Sequence, residues 1–367
     1  MPTSDPPEFP PLESVFTPGA PVTGARHIGR PQRLERATHV LDEPGRHLLV
    51  LGEAGVGRTS FALACAGVRP HRYHQLGLDD RFELLMRRLL EPPDDHADAV
   101  AGGWELVDGK ARAPAVLILD DVDRAPPEAI SGGITPLLRA LADTGSTTKL
   151  ILTARRDRPF PDTLAGAGLR LYAIGLERLD EVALAEIVDG GARATGVRFQ
   201  RELRDRIVLD ADGLPGMVHA LCLEAGRSAE ARGSKRVTLG RDYLPALTNL
   251  VDSLAPRLRS SYEAATESRG HSNRFAHLLW AGALCQGASF DLGELERVLA
   301  QIEGKAVPQQ AYVRHLGDLI KRGLFARIRE GLYRFTDPAM RVYIRLRLRK
   351  EEPTLMGEAA LQLALPY

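Results

Sequence analysis

Four short apolar runs, at 47–51, 115–119, 150–153 and 169–174, stand between polar and helix-patterned stretches. Runs of four to six residues without strict alternation are the mark of strands covered on both faces. A further strand is predicted at 72–76. Helical spacing precedes and separates these strands. Leu34, Ala37 and Leu41 share one face of a helix over 33–41, and helices are predicted at 59–66 and 81–90. Strand–helix alternation predicts a parallel sheet covered by helices. From residue 179 the pattern turns helical, with helices at 181–188, 201–209, 217–225 and 243–268 and a polar break at 226–235. Beyond 273 it predicts three helices and a hairpin with arms 324–328 and 332–335, joined by Arg329, Glu330 and Gly331. That order is the outline of a winged helix.

Length and composition narrow the class. The chain has 367 residues, enough for two or three domains. Hydrophobic residues make up 44% and charged residues 26%, which excludes bulk disorder. No run approaches the roughly 18 apolar residues of a membrane span. The N-terminus lacks the basic start and apolar core of a secretion signal. Cys65, Cys222 and Cys285 are far apart and form neither a disulfide framework nor a zinc motif. A cytoplasmic protein with reduced thiols, without a membrane partner, is the expectation. The leader, with Pro2, Pro6, Pro7, Pro10, Pro11, Pro18 and Pro21, is expected to be extended. No fixed-period repeat is present, and His39, His47, His219 and His277 are scattered, as structural histidines are.

Net charge is zero but unevenly placed. Residues 251–350 hold 17 Lys/Arg against 10 Asp/Glu, a net +7, while residues 1–250 carry −4. Within 312–350 there are 11 basic residues and only three acids, Asp318, Glu330 and Asp337. Arg341, Arg345, Arg347, Arg349 and Lys350 crowd the last predicted helix, and Arg327, Arg329 and Arg334 lie on or beside the wing. This region is either a duplex-DNA contact or a protein-docking face. Arg345, Arg347 and Arg349 alternate with Ile344, Leu346 and Leu348, which suits a strand-like end better than a helical stripe.

The most specific local signal runs from Gly52 through Glu53, Ala54, Gly55, Val56, Gly57 and Arg58 to Thr59 and Ser60. It follows a strand and opens a helix, the setting a phosphate loop requires. Glycines let the main chain turn its N–H groups inward, and the helix N-terminus adds partial positive charge. The Thr59 hydroxyl is the candidate ligand for Mg²⁺. The residue usually lysine is Arg58, bulkier and planar. About 60 residues on, the run 116–119 ends in Asp120 and Asp121. Asp120 is the candidate metal acid, and Asp121 the group that orients or deprotonates an attacking water. The run 150–153 ends in Thr153, Ala154 and Arg155, of which Thr153 or Arg155 is placed to sense a γ-phosphate. Arg156, Arg158 and Arg170 are candidates for an arginine acting across a subunit boundary.

Together these residues resemble the AAA+/STAND branch of P-loop ATPases, origin-recognition-like proteins in particular, over about residues 16–348. Ile28, Gly29 and Arg30 look like the hydrophobic-Gly-Arg box which in that family lies against the adenine. The run from Asp212 and Gly213 through Leu214 to Pro215 and Gly216 is similar to the Gly-x-Pro element of the family's lid, with the proline near the nucleotide. The segment from Tyr333 to Tyr343 resembles the junction between wing and final helix. Arg58 for lysine and Asp121 for glutamate depart from the family pattern. The resemblance implies a P-loop α/β core with a helical lid and a C-terminal winged helix. The implied boundaries are leader 1–25, core 26–176, lid 177–268, winged helix 269–350 and tail 351–367. It implies binding of ATP/ADP and Mg²⁺, with slow hydrolysis. The expected role is a switch controlling assembly with itself or an effector, in defence or mobile-element regulation. The alternative is a DNA-binding loader or regulator, and a nucleotide scaffold without useful hydrolysis is a third reading.

Overall fold

A computed structural model describes residues 9–78, 105–107, 110–112, 115–156, 164, 167–267 and 273–355. The expected helix at 81–90, the loop at 92–98, Arg158 and the tail beyond 355 lie outside the described residues. The chain divides into two compact units, Gly19–Ala183 with Leu214–Gly216, and Met1–Pro18 with Leu184–Gly213 and Met217–Tyr367. No described helix is long and apolar enough to cross a membrane.

The first unit is built on a parallel sheet. Helix α2 (Pro31–Asp42; α1, Leu12–Val15, lies in the other unit) leads into β1 (His47–Gly52) and α3 (Arg58–Ala66). Strand β2 (His71–Gln75) follows, then a small hairpin of β3 (Glu105–Val107) and β4 (Lys110–Arg112). After β5 (Val116–Asp120) come α4 (Thr135–Asp143), β6 (Lys149–Arg155) and β7 (Leu171–Leu176). The sheet order is β2-β5-β6-β1-β7, and every pairing is parallel. Three of the apolar runs became the inner strands β1, β5 and β6, because a central parallel strand must be apolar on both faces, and the run 169–174 became the edge strand β7. All five residues of β5 are buried. Leu117, Leu119, Ile130, Ile134, Leu138, Leu150 and Leu152 share one core beneath it. Parallel strands put all their C-terminal ends on one edge, so the turn after β1, the acids after β5 and the end of β6 meet there.

The second unit is mainly helical. Short helix α1 (Leu12–Val15) precedes α5 (Glu181–Thr195), whose first residues belong to the sheet unit. Strand β8 (Arg198–Phe199) pairs with β9 (Arg236–Val237), flanking α6 (Arg201–Ala211) and α7 (Pro215–Ala231). Helix α8 (Leu244–Thr266) leads to α9 (Arg274–Leu284), β10 (Ser289–Asp291), α10 (Leu292–Glu303) and α11 (Val313–Lys321). The hairpin is β11 (Phe325–Arg329) and β12 (Leu332–Phe335), and α12 (Pro338–Glu351) follows. The three strands pair in the order β10-β12-β11, and Phe290, Phe325 and Phe335 pack edge to face between them and α9.

Three expectations need correction in this unit. The leader is not extended throughout, because Leu12, Val15 and Phe16 are buried, Leu12 against Gly226 and Phe16 against Gly191. Helix α7 runs through the expected break to Ala231, since its small residues Ala225, Gly226 and Ala229 are buried there. The last segment is a helix and not strand-like. Asp337 caps it by accepting from the Ala339 amide at 2.9 Å, and Pro338 suits its first turn. Arg341 and Arg345, one helical turn apart, point inward, so the charge alternation hid a buried polar face.

Candidate functional site

The turn between β1 and α3 is shaped by close approaches that exclude side chains. A Cβ on Gly52 would stand 2.6 Å from Val56 Cγ1, so the loop folds back over the strand end only because glycine is there. Gly55 and Gly57 take left-handed conformations, φ 76° and 93°. Val56 is fully buried and anchors the loop, while Ala54 and Gly55 are exposed at its crest. The first amides of α3 have no acceptor within the helix, so the loop and helix start form an anion cradle.

Two arginines brace that loop. Arg30 is buried, and its Nη2 donates to the carbonyls of Val56 at 3.0 Å and Glu177 at 2.8 Å. Burial, then the charge of Arg33, lowers its pKa to about 10, so it stays charged at neutral pH. Burial and then Arg30 also lower the pKa of His27, which rests against Phe61. Gly29 precedes Arg30 with φ 91°, and a Cβ there would lie 2.7 Å from Leu179. Ile28 is half-buried. Arg178 Nη2 pairs with Glu53 at 2.9 Å. Ser60 Oγ accepts from the Val22 amide at 3.0 Å, which ties the start of this unit to α3. Leu214, Pro215 and Gly216 lie beside the loop. Cβ atoms built on Gly55 and Gly57 would meet Leu214 at 3.7 Å and Pro215 at 3.9 Å.

Below the cradle sits Asp120, 2% exposed, within reach of three hydroxyls. Thr59 Oγ1 donates to Oδ2 at 2.8 Å, Tyr73 OH to the same oxygen at 2.9 Å, and Thr153 Oγ1 to Oδ1 at 2.5 Å. Thr153 also accepts from the Asp121 amide at 3.0 Å. Its hydroxyl is buried and gives its proton to Asp120, so here Thr153 orients the two acids. Burial, followed by the neighbouring Asp120 charge, raises the Tyr73 pKa and keeps its proton in place as a donor.

Asp121 stands in the left-handed region, φ 56°, which aspartate tolerates better than most side chains. Arg58 Nη2 pairs with its Oδ1 at 2.6 Å, and Gln75 Nε2 donates to its Oδ2 at 3.0 Å. Arg58 Nη1 donates to the Gly52 carbonyl at 2.9 Å. Arg155 is half-buried, with its amide donating to Asp123 at 3.0 Å. Of the candidate trans-acting arginines, Arg156 is exposed over Gly175, whereas Arg170 is paired with Asp143 at 2.8 Å.

The sequence motifs thus converge at one sheet edge, but four partners were not foreseen: Tyr73, Gln75, Arg178 and Asp123. Tyr73 and Gln75 are two residues apart and so share a face of β2. The β2–β5 register, with Gln75 opposite Asp120, is what brings that face to the acids.

The Thr59 hydroxyl at a helix start and the buried Asp120 carboxylate at a strand end are hard oxygen donors, the set that suits Mg²⁺. With a turn of left-handed glycines beside them, they fit a magnesium-bound nucleotide.

No protein-family model matches the chain, and no curated protein matches it. Solved structures do. A Walker-type ATPase of Pyrococcus abyssi matches 90% of this chain and 99% of its own, at 16% identity and TM-score 0.52. A variant of RuvB from Thermotoga maritima matches 87% and 95%, at 17% identity and TM-score 0.50. Cdc6p from Pyrobaculum aerophilum matches 93% and 98%, at 16% identity and TM-score 0.49. At these identities the likeness concerns the fold, and the chain has the AAA+ fold of P-loop ATPases.

Proposed function

We propose that the chain is a magnesium-dependent ATPase of slow turnover that uses its nucleotide state to engage duplex DNA. The observation that carries the ATP reading is the 2.8 Å bond from Thr59 to Asp120 beneath the left-handed glycines of the loop. By giving its proton to Asp120, Thr59 leaves its oxygen lone pairs free for a cation. Amides of residues 55–60 would hold the phosphates, and Thr59 and Asp120 would hold the ion. Bound Mg²⁺ would neutralise charge that builds on the transferred phosphoryl group. Asp121 would accept the proton of the attacking water. Arg30 keeps the loop in shape, and the contact of Pro215 with the loop supports its place near the nucleotide. ATP titrations with Mg²⁺ or EDTA test this reading. Thr59→Ala should lose the magnesium-dependent gain, and no binding by the wild type would refute the reading.

Exposed arginines favour DNA over a protein effector. Arg314 on α11 and Arg327 and Arg329 on the wing are exposed. Arg341 and Arg345 are not available, because their guanidinium groups donate to the carbonyls of Ala283 and Cys285. The DNA surface is therefore α11 and the wing, and not the final helix on which the sequence concentrates its charge. Duplex binding measured from low to moderate salt is the test; no affinity at low salt would contradict it. Exposed Arg156 supports self-assembly as a second partner mode, in which its guanidinium would reach a neighbouring copy's phosphates. The comparisons give no support to the STAND branch or to a role in defence.

A further inference from the structure

We infer that Arg58 and Asp121 form a partner-exchange pair by which the site distinguishes a nucleoside triphosphate from a diphosphate. The inference rests on the nucleotide reading above. Arg58 is the first residue of α3, at the mouth of the cradle, yet both of its terminal nitrogens are held by protein oxygens. Nη1 donates to the Gly52 carbonyl at 2.9 Å and Nη2 to Asp121 at 2.6 Å. Asp121's other oxygen takes a hydrogen bond from Gln75 at 3.0 Å.

Two tasks thereby exclude each other. While the pair is closed, the terminal nitrogens of Arg58 are drawn to Gly52 and Asp121 and away from a phosphate, and the charge of Asp121 is neutralised by Arg58, which weakens it as a base toward water. The loop amides and the Thr59 hydroxyl are outside the pair, so a diphosphate can be held with the pair closed. A terminal phosphate is a multiply charged, multidentate anion and competes with a single carboxylate for the arginine fork. When Arg58 moves to it, Asp121 is released. The base becomes available only when there is a γ-phosphate to remove. A lysine in this position has no fork and could not bridge the strand end and the acid in the same way. The side chains are 11% and 14% exposed, sheltered enough for the pair to hold and open enough for it to exchange.

The test measures Kd for ADP and for a non-hydrolysable imido analogue of ATP, both with Mg²⁺. The variants are Asp121→Asn, Arg58→Ala and the double substitution. Asparagine accepts the left-handed backbone, so the fold of Asp121→Asn should survive, and a thermal melt checks it. Asp121→Asn should tighten the analogue about fivefold, the worth of a sheltered ion pair. ADP should change by less than about twofold. Arg58→Ala should erase the preference for the analogue, and in that background Asp121→Asn should give no gain. An unchanged or weaker analogue affinity in Asp121→Asn, or an equal shift for ADP, would overturn the exchange. If neither nucleotide binds any variant or the wild type, the ATP reading itself fails.

Discussion

Asp121 in the sheet unit and Asp210 in the helical unit both face arginine, with very different surroundings. Arg58 meets Asp121 with both side chains partly open to solvent. Asp210 is 1% exposed and meets Arg206 at 2.8 Å and Arg345 at 3.7 Å, with Tyr243 OH donating to it. Burial alone would raise the Asp210 pKa, but Arg206, then Arg345 and Arg341, outweigh it and leave it lowered. Burial lowers the Arg345 pKa to about 9, so the residue remains charged at neutral pH. The first pair can exchange partners, because water and phosphate can reach it. The second cannot, since removing one member leaves charges stranded in a dry interior. It joins α6 to α12 within the helical unit.

The largest effect expected from this contrast is in the helical unit. Asp210→Asn should destabilise that unit by about 3–5 kcal/mol, because Arg206 and Arg345 lose their counter-charge. Chemical denaturation measures it, and a loss below about 1 kcal/mol would place the pair with Arg58–Asp121. The pH dependence follows from the lowered pKa. Stability from Asp210 is complete above the ordinary carboxylate value near ~4 and is lost as pH falls through its lower folded value. Acid melts of wild type should therefore be steeper at low pH than those of Asp210→Asn.

Next in size is Asp120, the proposed metal acid. Asp120→Asn should cut magnesium-dependent turnover by about 100-fold or more while thermal stability changes little. ATPase assays at saturating ATP decide it, and wild-type turnover in the variant would remove Asp120 from the metal site. Substituting Arg314, Arg327 and Arg329 together by alanine should lower the salt slope of duplex binding by about three. The same assay on Arg349→Ala/Lys350→Ala, at the end of the final helix, should give a smaller change. The smallest effect concerns Tyr73. Tyr73→Phe should raise the Mg²⁺ concentration needed for half-maximal ATP binding about threefold, since one neutral hydrogen bond to Asp120 is lost. Binding in EDTA should be unchanged.

The inner strands and the glycine turn after β1 were legible because both are local signals. An apolar run such as 116–119 must be covered on both faces, and glycines before Arg58 and Thr59 at a strand end have few other uses. Asp120 and Asp121 were legible for the same reason. Tyr73 and Gln75 were not, because their role depends on which strand β2 pairs with, and the pattern 72–76 carries no register. The final helix misled for a different reason. A count of charges cannot show that Arg341 and Arg345 are buried, nor that the Ala283 and Cys285 carbonyls receive them. Helix α7 outran its predicted end because Gly226, a breaker by propensity, is where Leu12 of the leader packs. Thr153 was found by its position after a strand, yet its hydroxyl faces the acids and not the cradle.

The most direct test of a nucleotide in this loop is a calorimetric titration of the wild type and a Gly57→Val variant with the imido analogue of ATP in Mg²⁺. Gly57 has φ 93° and a valine there would strain the turn that shapes the cradle. The wild type should bind one analogue per chain with a saturable isotherm, and the variant should show none while keeping the thermal melt of its helical unit. No heat of binding in the wild type, or equal binding by both proteins, would contradict a nucleotide held by this loop.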